Sequence, residues 1–124
     1  MQDIKSKIYD ELIKIMSSVK KGFMVKEEKG KSYHLYGTKK VTIDGRDYDS
    51  MYFSSVLIMK NFVSFYYMPI YANTEMKNTI PENLKKLLKG KTCFHITKYD
   101  ADIFKSIQEL LKKGKAYYKS QKWI

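Results

Sequence analysis

The chain has 124 residues, 44% of them hydrophobic and 15% aromatic, which suits one domain, is too short for two, and excludes a disordered chain. The formal charge is +11, but of the 24 basic residues only Arg46 is an arginine, and phosphate and base-edge recognition favours arginine's planar fork. No apolar run approaches the roughly 18 residues of a membrane helix, the polar start Met1 to Lys7 lacks the pattern of a secretory signal, and the one cysteine, Cys93, allows no internal disulfide, which together point to the cytoplasm.

In chain order, the first segment reads as an amphipathic helix. Ile4, Ile8, Leu12, Ile15, Met16 and Val19 recur at spacings of three and four, and Lys20-Lys21-Gly22 ends it. Phe23 to Glu27, Ser32 to Tyr36 and Lys40 to Ile43 are short strands, the last closed by the hairpin signal Asp44-Gly45. Met51 to Met59 and Phe62 to Met68 form a hairpin across Lys60-Asn61, with Asn61 supplying a left-handed turn residue and Pro69 ending the run. Pro81 starts a short helix through Leu84, Leu87 and Leu88, stopped by Gly90. Thr92 to Thr97 alternates as a last strand. Asp100 or Asp102 caps a final helix with Ile103, Phe104, Ile107, Leu110 and Leu111 on one stripe, and Gly114 interrupts it before Tyr117, Tyr118 and Trp123. Strands cluster in the middle, so the expectation is one α+β domain over residues 1–124. It has an antiparallel sheet, helices at both termini and one short helix before the last strand.

The central hairpin is apolar on both faces. Pairing across Lys60-Asn61 sets Leu57 against Ser64, Ser55 against Tyr66 and Phe53 against Met68, and cross-strand partners share a face. Tyr52, Ser54, Val56, Ile58, Val63, Phe65 and Tyr67 fall on the other face and are assigned to the core. In Thr92 to Thr97, Phe94 and Ile96 point to the core, so Cys93 and His95 join the mixed face. The candidate groove or interface is therefore Phe53, Ser55, Leu57, Ser64, Tyr66, Met68, Cys93 and His95, too apolar for plain solvent.

Catalytic and metal patterns are weak. Cys93 and His95 stand two apart on a strand, about 7 Å, beyond hydrogen-bond reach, with no third group to orient them. Two histidines, His34 and His95, and one cysteine do not make a structural zinc site. Asp44, Asp47 and Asp49 lack calcium-loop spacing. Gly30-Lys31-Ser32 and Gly90-Lys91-Thr92 end like a phosphate-binding loop, but Val25 and Lys85 stand where its first glycine belongs. From Asn83 to Ile124 eleven lysines face only Asp100, Asp102 and Glu109, so the positive field gathers in the last third. Tyr117, Tyr118, Lys119, Lys122 and Trp123 alternate rings with charge; they suit stacking on bases or docking at a membrane interface, and more simply a tail that packs an aromatic pair onto the body and frays.

The run Met51-Tyr52-Phe53-Ser54-Ser55-Val56, then Lys60-Asn61-Phe62-Val63-Ser64, Met68-Pro69-Ile70-Tyr71, Leu84-Lys85-Lys86, Leu88-Lys89-Gly90-Lys91, Cys93-Phe94, and the end Tyr118 with Trp123-Ile124 resembles the YdhG-like family, domain of unknown function 1801, from about Tyr36 onward. The resemblance implies a compact α+β fold. Some members are described as frataxin-like, which implies an iron-handling accessory role. That idea relies on an acidic first helix, whereas here Asp3, Asp10 and Glu11 face five lysines, so no iron ligands are carried over. The expectation is a non-enzymatic binding or interaction module that uses the mixed face, with no cofactor. Its partner is a small ligand or a protein, a homodimer among the options, and not a membrane. Iron handling and weak nucleic-acid binding through the C-terminal lysines are the alternatives.

Overall fold

The computed structural model describes residues 3–124, so Met1 and Gln2 of the polar N-terminal segment lie outside the described residues. Helix α1 (Ile4–Ser18) leads into strands β1 (Phe23–Glu28), β2 (Ser32–Gly37), β3 (Val41–Ile43), β4 (Arg46–Tyr48), β5 (Tyr52–Ile58) and β6 (Val63–Tyr67). Short helix α2 (Pro69–Ala72), a 3-10 segment (Thr74–Thr79) and α3 (Glu82–Lys85) follow, then β7 (Leu88–Lys89), β8 (Cys93–Ile96) and α4 (Ala101–Ser120). The fold is α+β.

Six strands form one sheet in the order β1-β2-β5-β6-β8-β7, with every pairing antiparallel, and β3-β4 form a separate ribbon. In the ribbon's turn, Asp44 has φ 52 and Gly45 φ 80. Those are the two left-handed positions of a type I′ hairpin, which Asp-Gly adopts at little cost. Helix α1 starts at Asp3, whose carboxylate accepts from Ser6 N at 2.7 Å. Helix α4 starts at Asp100, which accepts from Asp102 N at 2.9 Å.

The apolar stripes of α1 (Ile8, Leu12, Ile15, Met16) and α4 (Ile103, Ile107, Leu110, Leu111, Tyr118) join one core with Leu35, Val56, Val63, Phe65, Tyr67, Phe94 and Ile96 of the sheet. Both long helices therefore cover one face of the sheet and leave the other uncovered. The C-terminus also packs down rather than fraying. Tyr118 is fully buried and donates to Tyr52 O at 2.6 Å, and Trp123 stacks edge-on against Tyr117 and Tyr118.

The hairpin register is as expected, with Leu57 opposite Ser64 and Ser55 opposite Tyr66. One face assignment is not. Tyr36 pairs with Tyr52 while Leu35 pairs with Ser54, so Phe53 is an extra residue in β5, a β-bulge. A bulge reverses the alternation beyond it. Phe53 therefore enters the core, stacked on Phe23 at 4.3 Å and edge-on to Tyr118 at 5.0 Å. Tyr52, expected in the core, stands on the uncovered face.

Three local expectations also differ. Asn61 is not left-handed; among the described non-glycine residues only Asp44 and Lys122 have positive φ. Leu88 is in a strand, and the helix after Pro81 is a single turn. Gly114 does not interrupt α4, which runs unbroken to Ser120. Here glycine serves close approach instead. A Cβ at this position would overlap the Tyr67 hydroxyl and come within 2.9 Å of both Tyr67 Cζ and Pro69 Cγ.

Candidate functional site

The uncovered face takes its side chains from the alternation of four adjacent strands. β2 contributes Ser32, His34 and Tyr36; β5 contributes Tyr52, Ser55 and Leu57; β6 contributes Ser64 and Tyr66; β8 contributes Cys93 and His95. None of these ten is Lys, Arg, Asp or Glu, in a chain of net charge +11. Charge returns only at the margins, with Lys26 and Glu28 on β1 and Lys89 on β7.

Two polar clusters lie on the floor of this face. Ser55 is 1% exposed; its Oγ accepts from the Tyr52 hydroxyl at 2.5 Å and lies 2.5 Å from His34 Nδ1. Ser55 can donate to Nδ1 or accept from it according to the ring's tautomer, since a hydroxyl that accepts from Tyr52 keeps one proton and one lone pair. Burial, then the Lys26 charge, holds His34 below its ordinary pKa, which favours the neutral ring. Burial raises the Tyr52 phenol well above its ordinary range, so Tyr52 stays a donor. In the second cluster Ser64 Oγ lies 2.9 Å from Cys93 Sγ. Beside it His95 stacks on Phe62, with centroids 3.9 Å apart and planes 17° from parallel.

This chemistry is that of a fixed floor. Cys93 and His95 each have a different partner and form no nucleophile–base pair. The Ser55–His34 contact has the elements of a dyad, but Ser55 sits in mid-strand beneath larger side chains. Ser55 is paired on both sides, opposite His34 of β2 and Tyr66 of β6. Among the described residues no group of three or more His, Cys, Asp or Glu is placed to hold a metal.

Of the eight residues picked out in the sequence, Ser55, Leu57, Ser64, Tyr66, Cys93 and His95 share this face. Phe53 is in the core because of the bulge. Met68 ends the hairpin at the rim of a neighbouring cleft. His34 and Tyr36 were not grouped with the others in the sequence, although burial of Tyr33 and Leu35 in β2 obliges them to face outward. Tyr52 carried no sequence signal, because the bulge that turns it outward is set by pairing to β2. No helix is long and apolar enough to cross a membrane. No protein-family model matches the chain, and no curated protein and no solved structure matches it.

Proposed function

We propose that the protein is a non-enzymatic interaction module that pairs with a second copy of itself through the uncovered sheet face. The observation that carries this reading is the absence of charge on four adjacent strands of a strongly basic protein. Interface centres are poor in charge and rich in aromatic residues and Met, and here Tyr36, Tyr52, Tyr66 and Phe62 supply the rings, with Met24 and Met59 exposed at the margins. Four strands at about 4.8 Å spacing and five residues at about 3.3 Å rise give a patch of roughly 19 by 17 Å. With its margins, a face-to-face pair buries on the order of 1,000 Å², at the lower bound for a specific interface, so the expected association is micromolar rather than tight.

Sedimentation velocity from about 5 to 500 μM tests this reading. A concentration-dependent shift to dimer is expected, and it is lost in Leu57→Lys or Tyr66→Lys, both half-buried positions whose charge lands at the centre of the face. A monomer at every concentration, or variants that dimerise like the parent, would sink it.

A second reading has one observation behind it. On the helix layer, Lys115 is held below its ordinary pKa by burial and then by Lys119 and Lys21, so three lysines share one positive spot, a weak site for a phosphate backbone. Mobility of labelled RNA and DNA at low salt checks it, and no shift at 100 μM protein removes it. Iron handling gains no ligand set among the described residues.

A further inference from the structure

Beyond the end of the sheet is a cleft of about 570 Å³ that shares only Tyr52 with the interaction face. Its walls come from segments far apart in sequence: Tyr48 and Asp44 from the β3–β4 ribbon, Tyr52 from β5, Tyr71 from α2, Tyr117 from the end of α4 and Trp123 from just beyond it. Met51 and Met68 add thioethers. None of the described lining residues is Lys or Arg, although the chain has 24 of them. Among the described lining residues Asp44, an exposed turn residue, is the only one with a charged side chain.

Aromatic faces carry negative potential, and a cation within about 6 Å of a ring centroid is attracted to it. Tyr117 and Trp123 meet with centroids 5.6 Å apart and planes at 89°, so they form two walls of a corner. Tyr71 is 60% exposed and Tyr48 42%, so both rings are open to solvent. Lys91 Nζ lies 5.7 Å from the Tyr71 centroid, so one face of that ring already carries a cation and a ligand has only the other face to use. One carboxylate residue among aromatic and thioether side chains does not suit a hard metal ion, which takes six or more oxygen ligands. Rings, thioethers and one negative charge suit a cation whose periphery is apolar. An ordinary protonated amine would lose strong hydration on entry, whereas a quaternary ammonium brings methyl groups to bury.

We propose that this cleft binds a small, freely diffusing quaternary ammonium compound, held by cation–π contact with Tyr71, Trp123 and Tyr117 and balanced by Asp44. The proposal does not rest on self-association, since Tyr71, Trp123, Tyr117 and Asp44 lie outside the pairing face and only Tyr52 is common to both surfaces.

The test uses the full chain titrated with choline chloride and tetramethylammonium chloride at constant ionic strength. The neutral carbon analogue 3,3-dimethyl-1-butanol serves as control. Trp123 is the only tryptophan, so its emission reports the cleft directly, and calorimetry gives the affinity. Saturable binding of both cations at millimolar concentration or below is expected, with the neutral analogue at least tenfold weaker. Tyr71→Leu and Asp44→Asn should each weaken choline binding about three- to tenfold with an unchanged melting midpoint. Asparagine tolerates the left-handed conformation at position 44, and Tyr48→Leu is a further exposed ring to remove should either variant melt early. No saturable change up to 50 mM, equal binding of the neutral analogue, or variants that bind as well as the parent would each overturn the proposal. Binding of a trimethyl-lysine peptide without binding of free choline would overturn the assignment to a small molecule.

Discussion

Gly114→Ala separates two physical effects of opposite sign. Position 114 is inside a 20-residue helix, where alanine is favoured over glycine by about 1 kcal/mol. By propensity alone the substitution stabilises. The new Cβ, however, would overlap the Tyr67 hydroxyl and lie 2.9 Å from Tyr67 Cζ and from Pro69 Cγ. Tyr67 has no room to retreat, because its ring is fully buried and its hydroxyl donates to Leu110 O. Pro69 is also buried, at the start of α2. Overpacking costs about 1–3 kcal/mol, and because the atoms met are buried and held, the upper part of that range, about 2–3 kcal/mol, applies; less the propensity gain, the net expectation is a loss of about 1–2 kcal/mol. Urea denaturation measures it, and the melting midpoint should fall by about 4–8 °C for a chain of this size. Tyr67→Phe removes the nearest atom and alone costs about 0.5–1.5 kcal/mol for its hydrogen bond. In that background Gly114→Ala should cost at least about 1 kcal/mol less than in the parent; the relief is partial because Pro69 Cγ stays. A Gly114→Ala protein as stable as the parent, or strictly additive substitutions, would refute the packing argument.

Four further outcomes are expected of the same fold. Tyr9→Phe should leave stability unchanged or raise it by up to about 1 kcal/mol in urea denaturation. Its buried hydroxyl has no hydrogen-bond partner among the described residues, and burial followed by Glu27, Asp10 and Glu28 pushes the phenol up to about 12. Gly37→Ala places a Cβ 2.7 Å from Trp123 O, and should red-shift Trp123 emission while costing about 1–3 kcal/mol. Ser55→Ala should cost about 1–3 kcal/mol because Tyr52 then keeps a buried hydroxyl without an acceptor, and Ser64→Ala should cost less because the thiol it leaves is a weak group; equal losses would contradict the floor described above. His34 has its folded pKa below its ordinary value of 6.5, so the unfolded chain takes up that proton first as pH falls. Its contribution to stability is complete above about pH 6.5 and is lost as pH falls through the folded value, and Lys26→Gln should raise the His34 midpoint in an NMR titration.

The hairpin register was legible because period-two alternation and a polar two-residue connection leave few options. The cap of α4 was legible because Asp100 precedes an apolar stripe of period 3.6. What the sequence did not reveal depends on partners remote in the chain. Gly114 reads as a helix breaker until Tyr67 and Pro69, over forty residues earlier, are seen to press on it. Leu88 continues an apolar helical spacing from Leu84, but pairing opposite Phe94 draws it into a two-residue strand. The cleft had no local signal at all, since its ribbon, α2 and C-terminal walls meet only in three dimensions.

The bulge at Phe53 connects the core, the face and the cleft. Regular alternation would put the Phe53 ring on the uncovered face and the Tyr52 hydroxyl in the core, where it would need a partner among apolar side chains. The extra residue exchanges them. Phe53 fills the space between Phe23, Tyr67 and Tyr118, while Tyr52 turns its hydroxyl to Ser55 and its ring to the cleft. Residues 41–59 contain no lysine in a chain dominated by it, and this stretch supplies both the centre of the uncharged face and much of the cleft. A lysine excess set by overall composition would have no reason to spare two concave or flat surfaces that share one tyrosine. The exclusion of lysine is therefore the feature that singles out these two surfaces, and the large positive charge matters chiefly as the background against which they stand out.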